Sequence, residues 1–274
     1  MVSDGRSTPH PRRARLARHL RLLREDSNLT IETVGRRLGW SGSKLSRIET
    51  RVTGVTPADT ARLLDVYGIV GPRRESLTAL ARAGDWRTTP DSYPDLEAEA
   101  AAVLSFESML VPGIMQIPEY VRSIVRSTRP GATLAAMEGL VAERLARQAL
   151  LTREDGPRFW LVVDESALLR QVGGPRVMRA QLARLMDFAE LPSVTLQVFP
   201  VASETLPAPY GAFTVLQFRD GLDPGVVALE HQLAMFYLEE PSDVDECADV
   251  FRRLTSQALD QNASVRLLAQ LIAG

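Results

Sequence analysis

The sequence predicts two domains of different class: an all-α domain of five short helices that includes a helix-turn-helix, then a larger α/β or α+β domain with about five strands. Three observations carry this reading. The 274 residues exceed what one ordinary domain needs. Apolar residues recur at helical spacing from Arg12 to Arg82, whereas apolar runs bounded by turn residues first appear near Phe159. Charge divides along the chain as well. Residues 1–88 hold 17 Lys and Arg against 9 Asp and Glu, and residues 89–274 hold 15 against 25. The basic part suits a polyanion whose counterions are released on binding, and the acidic part does not.

The expected organisation is a disordered N-terminus over 1–11, a helix-turn-helix domain over 12–84, a linker over 85–94 carrying Trp86, and a second domain over 95–274. With 45% hydrophobic and 24% charged residues, the composition is globular. No run of about 18 apolar residues is present to span a membrane, and Met1 to Pro11 lacks the apolar core of a signal peptide. Cys247 is the lone cysteine, which excludes an intrachain disulfide and a cysteine-based metal cluster. The expectation is a cytoplasmic protein without metal or cofactor.

Leu16, Leu20 and Leu23 mark the first helix, which Asp26, Ser27 and Asn28 end. Thr30 caps the second, where Val34 and Leu38 share a face, and Gly39 closes it in a left-handed conformation before Trp40. Ser41 caps the third, Ser41 to Thr50, with Leu45 and Ile48 as its buried stripe. Only about three residues join the second and third helices, so the two must cross steeply. Thr56-Pro57-Ala58-Asp59 opens a fourth helix with core face Ala61, Leu64 and Tyr67. Gly71-Pro72 leads into a fifth carrying Leu77 and Leu80.

In the second domain an acidic, alanine-rich helix is expected from Leu96 to about Met109, a short one from Pro118, and a longer one from Leu134 to Leu151. Strands are expected at Phe159–Val163, Val194–Phe199, Phe213–Phe218, Val226–Glu230 and Met235–Leu238. A helix from Pro175 to Glu190 separates the first two, which points to a parallel pair, and the last three read as an antiparallel meander. Helices from Ser242, with Asp245 completing a capping box, to Leu259 and from Ala263 to Ile272 end the chain.

The run from Leu29 to Glu49, LTIETVGRRLGWSGSKLSRIE, resembles the Cro/phage-repressor-like (Xre) family over roughly residues 13–82. The resemblance implies a five-helix bundle whose third helix enters the major groove of double-stranded DNA. Position by position it makes Gly42, Ser43, Lys44 and Arg47 the base-facing residues. Lys44 and Arg47 can donate to guanine O6 and N7, and Ser43 to several bases. Arg36, Arg37, Ser41, Arg51 and Thr53 are the phosphate candidates, which fix position without reading sequence. Ser46 and Glu49 are expected to be structural. Lys44 is the only lysine of 32 basic residues, a bias that a GC-rich genome explains. Three positions depart from the family: Ile31 replaces the usual glutamine, Gly35 the usual alanine, and Arg51 the usual glycine.

Across the whole chain, Leu96-Glu97-Ala98-Glu99-Ala100, the run from Leu110 to Gln116, the run from Val162 to Leu168, and Val172-Gly173-Gly174-Pro175 resemble bacterial Xre-type regulators with a large C-terminal domain long classed as of unknown function. The resemblance implies a regulator often encoded beside a small acidic partner protein, some such pairs behaving as antitoxin and toxin. The C-terminal domain would then bind that partner, a small-molecule effector, or a second copy of itself in a homodimer.

Catalysis has few footholds. Asp164 and Glu165 end one expected strand and Glu230 and His231 another, common places for reactive groups. His10 and His19 lie in the first domain, so the second has no histidine cluster. No nucleophile elbow, phosphate-binding glycine loop or zinc-protease helix is present. Gly173-Gly174-Pro175 reads as a helix entry and Cys247 as a small core residue. The expectation is a protein that is not an enzyme.

Overall fold

The computed structural model describes residues 11–83, 93–205, 207–219, 225–231 and 234–274. The chain falls into two compact units divided in sequence between Tyr93 and Pro94. Most of the expected N-terminal tail and linker, Trp86 included, lies outside the described residues. At their margins two boundaries shift: Pro11 already belongs to a helix, and Tyr93 and Pro94 begin one.

The first unit contains α1 (Pro11–Asp26), α2 (Ile31–Leu38), α3 (Gly42–Glu49), α4 (Pro57–Val66) and α5 (Gly71–Ala83). Leu16, Leu20, Leu23, Val34, Leu45 and Ile48 meet Leu63, Leu64, Leu77 and Leu80 in one core. Asn28 ends α1 with φ 52°, a left-handed value that its short polar side chain tolerates. Thr56 caps α4 by accepting from Asp59 N at 3.0 Å, and Pro57 takes the first helical position, where no amide donor is needed. The core face of α4 differs from expectation. Leu63, Leu64 and Tyr67 are buried and Ala61 is half-buried, because α4 packs on both α2 and α5 and so needs two adjacent apolar positions.

The second unit is a six-stranded mixed sheet of order β3-β2-β1-β4-β5-β6. Its strands are β1 (Ala102–Glu107), β2 (Arg158–Asp164), β3 (Val194–Phe199), β4 (Phe213–Gln217), β5 (Val226–His231) and β6 (Ala234–Leu238). β1, β2 and β3 are parallel, and β4, β5 and β6 add antiparallel. The expected parallel pair and meander are both present, joined by a strand that composition concealed. α6 (Tyr93–Glu99) stops where the alanine-rich helix was expected to continue, and the chain enters β1. Packing overrides alanine's helix preference here: Val103 and Phe106 face opposite sides and both are buried, so this segment sits mid-sheet with neighbours on each edge.

The crossover from β1 to β2 runs through α7 (Pro118–Thr128) and α8 (Leu134–Arg147), and that from β2 to β3 through α9 (Glu165–Leu169) and α10 (Pro175–Ala189). α11 (Pro241–Gln257) covers one sheet face, placing Val244, Phe251 and Leu254 against Phe106, Phe213, Val215 and Val227. Its start also differs from expectation. Pro241 opens the helix and Glu240 precedes it without a side-chain cap, so Ser242 and Asp245 form no capping box. α12 (Gln261–Ala273) is capped by Asp260, whose carboxylate accepts from Ala263 N at 2.7 Å.

Candidate nucleic-acid interface

The turn between α2 and α3 is built from the amino acids upward. Thr30 caps α2, its hydroxyl accepting from Thr33 N at 3.2 Å. Gly39, at φ 68°, reverses the chain, and Trp40 N donates to Gly35 O at 2.8 Å. The Gly35 departure has a steric cause. A Cβ there would lie 2.9 Å from the carbonyl oxygen of Trp40, so alanine would push the turn open. Ile31 also finds a use. Its methyl group lies 3.6 Å from where a Gly42 Cβ would stand, so it packs beside the start of α3.

Ser41 caps α3, its hydroxyl accepting from Lys44 N at 3.3 Å and lying 3.1 Å from the Ser43 hydroxyl. Leu45 and Ile48 anchor the helix from behind and are fully buried. At 100° per residue, Ser43 and Arg47 fall one turn apart on the side opposite those anchors, and both are exposed. Gly42 and Lys44 fall on the two flanks and are half-buried. Thr50 closes the helix, its hydroxyl donating to Ser46 O.

Lys44 is engaged elsewhere. Its ammonium lies 2.8 Å from Asp59 Oδ2 and 3.7 Å from the centre of the Trp40 ring. Arg62 completes the cluster, donating to Leu38 O at 2.7 Å and lying 3.8 Å from Asp59. Lys44 therefore joins α3 to α4 through Asp59, and must leave two partners to reach a base. Sequence reasoning missed this role, although Trp40 and Lys44 four residues apart and an acid in the first turn of α4 were the available signals.

Among the phosphate candidates, Arg36 and Arg37 are exposed in the last turn of α2, and Ser41 and Thr53 are exposed beside α3. Arg51 is half-buried, with φ 65° where the resembled family has glycine, and its carbonyl accepts from Arg13 Nη2 at 2.6 Å. Thr53 N donates to Arg47 O at 3.0 Å, so the chain folds back under the end of α3. Glu49 is structural by a different contact from the expected backbone bond. Its carboxylate takes both prongs of the Arg24 guanidinium at 2.7 and 2.9 Å, and Arg24 also donates to Leu29 O. The pairing raises the Arg24 pKa above its ordinary value despite burial.

In the second unit the strand-end carboxylates serve the backbone. Asp164 accepts from Ser166 N at 2.9 Å and caps α9, and Glu165 accepts from Val201 N at 2.9 Å. Glu230 and His231 are exposed at the end of β5. Gly174, at φ 89°, precedes Pro175 as the helix entry expected, and Cys247 packs half-buried against the core beneath α11. Among the described residues no group of three or more His, Cys, Asp or Glu could hold a metal, and no helix is long and apolar enough to cross a membrane.

Comparison with known proteins agrees with this geometry. No curated protein and no solved structure matches the chain. A family model described as a helix-turn-helix domain matches residues 15–77, within the span of α1 to α5 that holds the candidate interface, and points to a DNA-binding regulator. A second model, described as a domain of unknown function, matches residues 91–270, well over half of the chain. The protein thus joins a helix-turn-helix domain to a mixed α/β domain, and by the second match it belongs to the DUF5753 family.

Proposed function

We propose that the protein is a sequence-specific transcriptional regulator of the Xre type that reads the major groove with α3. The observation that carries this reading is the exposed pair Ser43 and Arg47, one turn apart and backed by Leu45 and Ile48. Arg47 donates to a guanine edge and Ser43 to a neighbouring base, while Arg36, Arg37, Ser41, Arg51 and Thr53 hold phosphates. Lys44 and Gly42 take supporting places on the flanks, Lys44 through Asp59. One such helix reads only a few base pairs, so the active species is a homodimer whose α3 helices lie about 34 Å apart. The second domain dimerises and senses an effector. The role is binding rather than catalysis, and its place is the cytoplasm with the DNA.

Selection of a binding site from random DNA by the full chain, repeated with Arg47→Ala, tests the assignment. The variant should lose about 1–3 kcal/mol of preference at one base of each half-site. Equal affinity of parent and variant for selected and random DNA would remove Arg47 as a reader.

The resemblance of the Leu96–Ala100, Leu110–Gln116, Val162–Leu168 and Val172–Pro175 stretches supports a second reading, an antitoxin-like protein that binds a small acidic partner encoded nearby and regulates its own operon. Purification of the tagged chain from its host distinguishes the two. A stoichiometric small acidic protein from the adjacent gene supports the second, and its absence under conditions that retain DNA binding supports the first.

A further inference from the structure

The outward edge of α3 does not stop at Arg47. At 100° per residue Arg47 stands about 40° from Ser43 on one side and Thr50 about 20° on the other, while Leu45 and Ile48 fall on the far side of the helix. Thr50 still stands on the helix, since its amide donates to Ser46 O at 2.9 Å, the bond of an ordinary α-helical turn. It is also exposed. Ser43, Arg47 and Thr50 thus follow one another along one edge at steps of four and three residues, the spacing that makes neighbours on a helix surface. Neither reading above gives Thr50 a part in binding.

What Thr50 can offer from that place is set by its own hydrogen bond. Its hydroxyl donates to Ser46 O at 2.7 Å. The bond commits the single proton of the group, so Thr50 has none to give to guanine, to thymine O4 or to a phosphate oxygen. It also holds the side chain still, because a β-branched residue bonded back to the preceding turn keeps one rotamer. The group left to present is the methyl. The next exposed side chain is apolar too. Val52 is 66% exposed, and its loop is tied to the end of α3 by Arg51 N on Ile48 O at 3.1 Å and Thr53 N on Arg47 O at 3.0 Å. A methyl gains nothing from a phosphate. The one apolar group that a duplex displays in its major groove is the C5-methyl of thymine.

We infer that Thr50 is a specificity-determining residue that reads a thymine through its methyl group, with Val52 widening the apolar contact. The inference rests on the major-groove reading of α3 and extends the reading edge by one turn. Thr50 lies about 4.5 Å beyond Arg47 along the helix, and Ser43 about 6 Å before it. Stacked base pairs are about 3.4 Å apart. With α3 lying along the groove, the thymine belongs to the pair next to the one read by Arg47, on the side away from Ser43. The polar start of α3 then reads hydrogen-bonding edges, and its end reads a methyl.

The test uses the duplex that the full chain selects from random DNA, with its thymines replaced one at a time by deoxyuridine, which lacks only the methyl. One replacement, beside the guanine whose effect depends on Arg47, should weaken binding about fourfold, as expected for one methyl no longer removed from water. Thr50→Ser keeps the hydroxyl that bonds Ser46 O but loses the methyl, and it should bind the thymine and deoxyuridine duplexes alike. Thr50→Val keeps a methyl without the hydroxyl and should retain the fourfold difference. A residue that only closed the helix would weaken every duplex equally and leave the deoxyuridine effect unchanged in both variants. A parent-like Tm identifies each variant as folded. A selected site with no deoxyuridine effect at any thymine, or one that Thr50→Ser retains in full, overturns this inference and leaves the regulator reading standing. An effect kept by Thr50→Ser and lost in Thr50→Val would assign the contact to the hydroxyl and overturn it as well. If the chain selects no site at all, the regulator reading and this one fall together.

Discussion

A methyl group added at Gly35 meets the Trp40 carbonyl oxygen at 2.9 Å, whereas one added at Gly42 meets only a methyl of Ile31 at 3.6 Å. The same chemical change should therefore have opposite signs at the two sites. Gly35→Ala should cost about 1–3 kcal/mol of overpacking at a turn that cannot yield without moving α3. Gly42→Ala should gain about 0.5 kcal/mol by reducing the freedom of the unfolded chain. Denaturant midpoints of the two variants check both, and a stabilising Gly35→Ala would show that the turn is looser than drawn. Glu107 gives a residue-scale prediction with pH as its variable. Burial first, then Glu230 on β5, push its pKa up to about 7, against the smaller opposing effects of Ser105 on its own strand and of Arg144 and Arg147 on α8. The folded chain then keeps a proton that the unfolded chain loses from pH 4.5 upward. Its contribution to stability thus falls as pH rises toward 7 and is level above that. Glu107→Gln should raise the Tm relative to the parent more at pH 7.5 than at pH 5. The opposite trend would mean that the arginines hold Glu107 as a carboxylate.

At the scale of elements, α3 is held from three directions: Leu45 and Ile48 into the core, Lys44 to Asp59 on α4, and Glu49 to Arg24 on α1. The Arg24–Glu49 pair is almost fully buried, so removing one partner leaves an uncompensated charge. Arg24→Met should cost about 3 kcal/mol, and Arg24→Met with Glu49→Met should recover part of it. A double variant no better than the single one would show that packing of the arginine, not its charge, matters. The Asp59 contact to Lys44 is more exposed, and Asp59→Asn should change stability by under about 1 kcal/mol. Its larger effect should be on DNA, because it frees Lys44 to approach the phosphates. Affinity for DNA should rise in Asp59→Asn and fall more steeply with salt.

Over the whole molecule the division of charge follows the division into domains, with the basic first third carrying the helix-turn-helix and the acidic remainder the mixed sheet. If Arg36 and Arg37 each neutralise one phosphate, replacing either by glutamine should flatten the dependence of log K on log salt by about 0.9 per subunit, equally for selected and random DNA. An unchanged slope would strike that arginine from the interface. Arg47→Ala should behave differently and lower selectivity more than overall affinity.

The amino-acid order alone determined the five helices, their caps, the tight turn and the outward position of Ser43 and Arg47. Those features follow from spacing and from residues that act on immediate neighbours: Thr30, Gly39, Ser41 and the Thr56-Pro57 start. In the second domain it also determined five strands and the parallel and antiparallel pairings, since helix-length and hairpin-length connections differ. It could not show β1, whose alanine-rich surroundings favour helix until two neighbouring strands accept its backbone. Nor could it show that Lys44 meets Asp59, or that Glu49 meets Arg24 across 25 positions. Those associations exist only once helix packing brings distant charges together, where removal from water favours the paired arrangement.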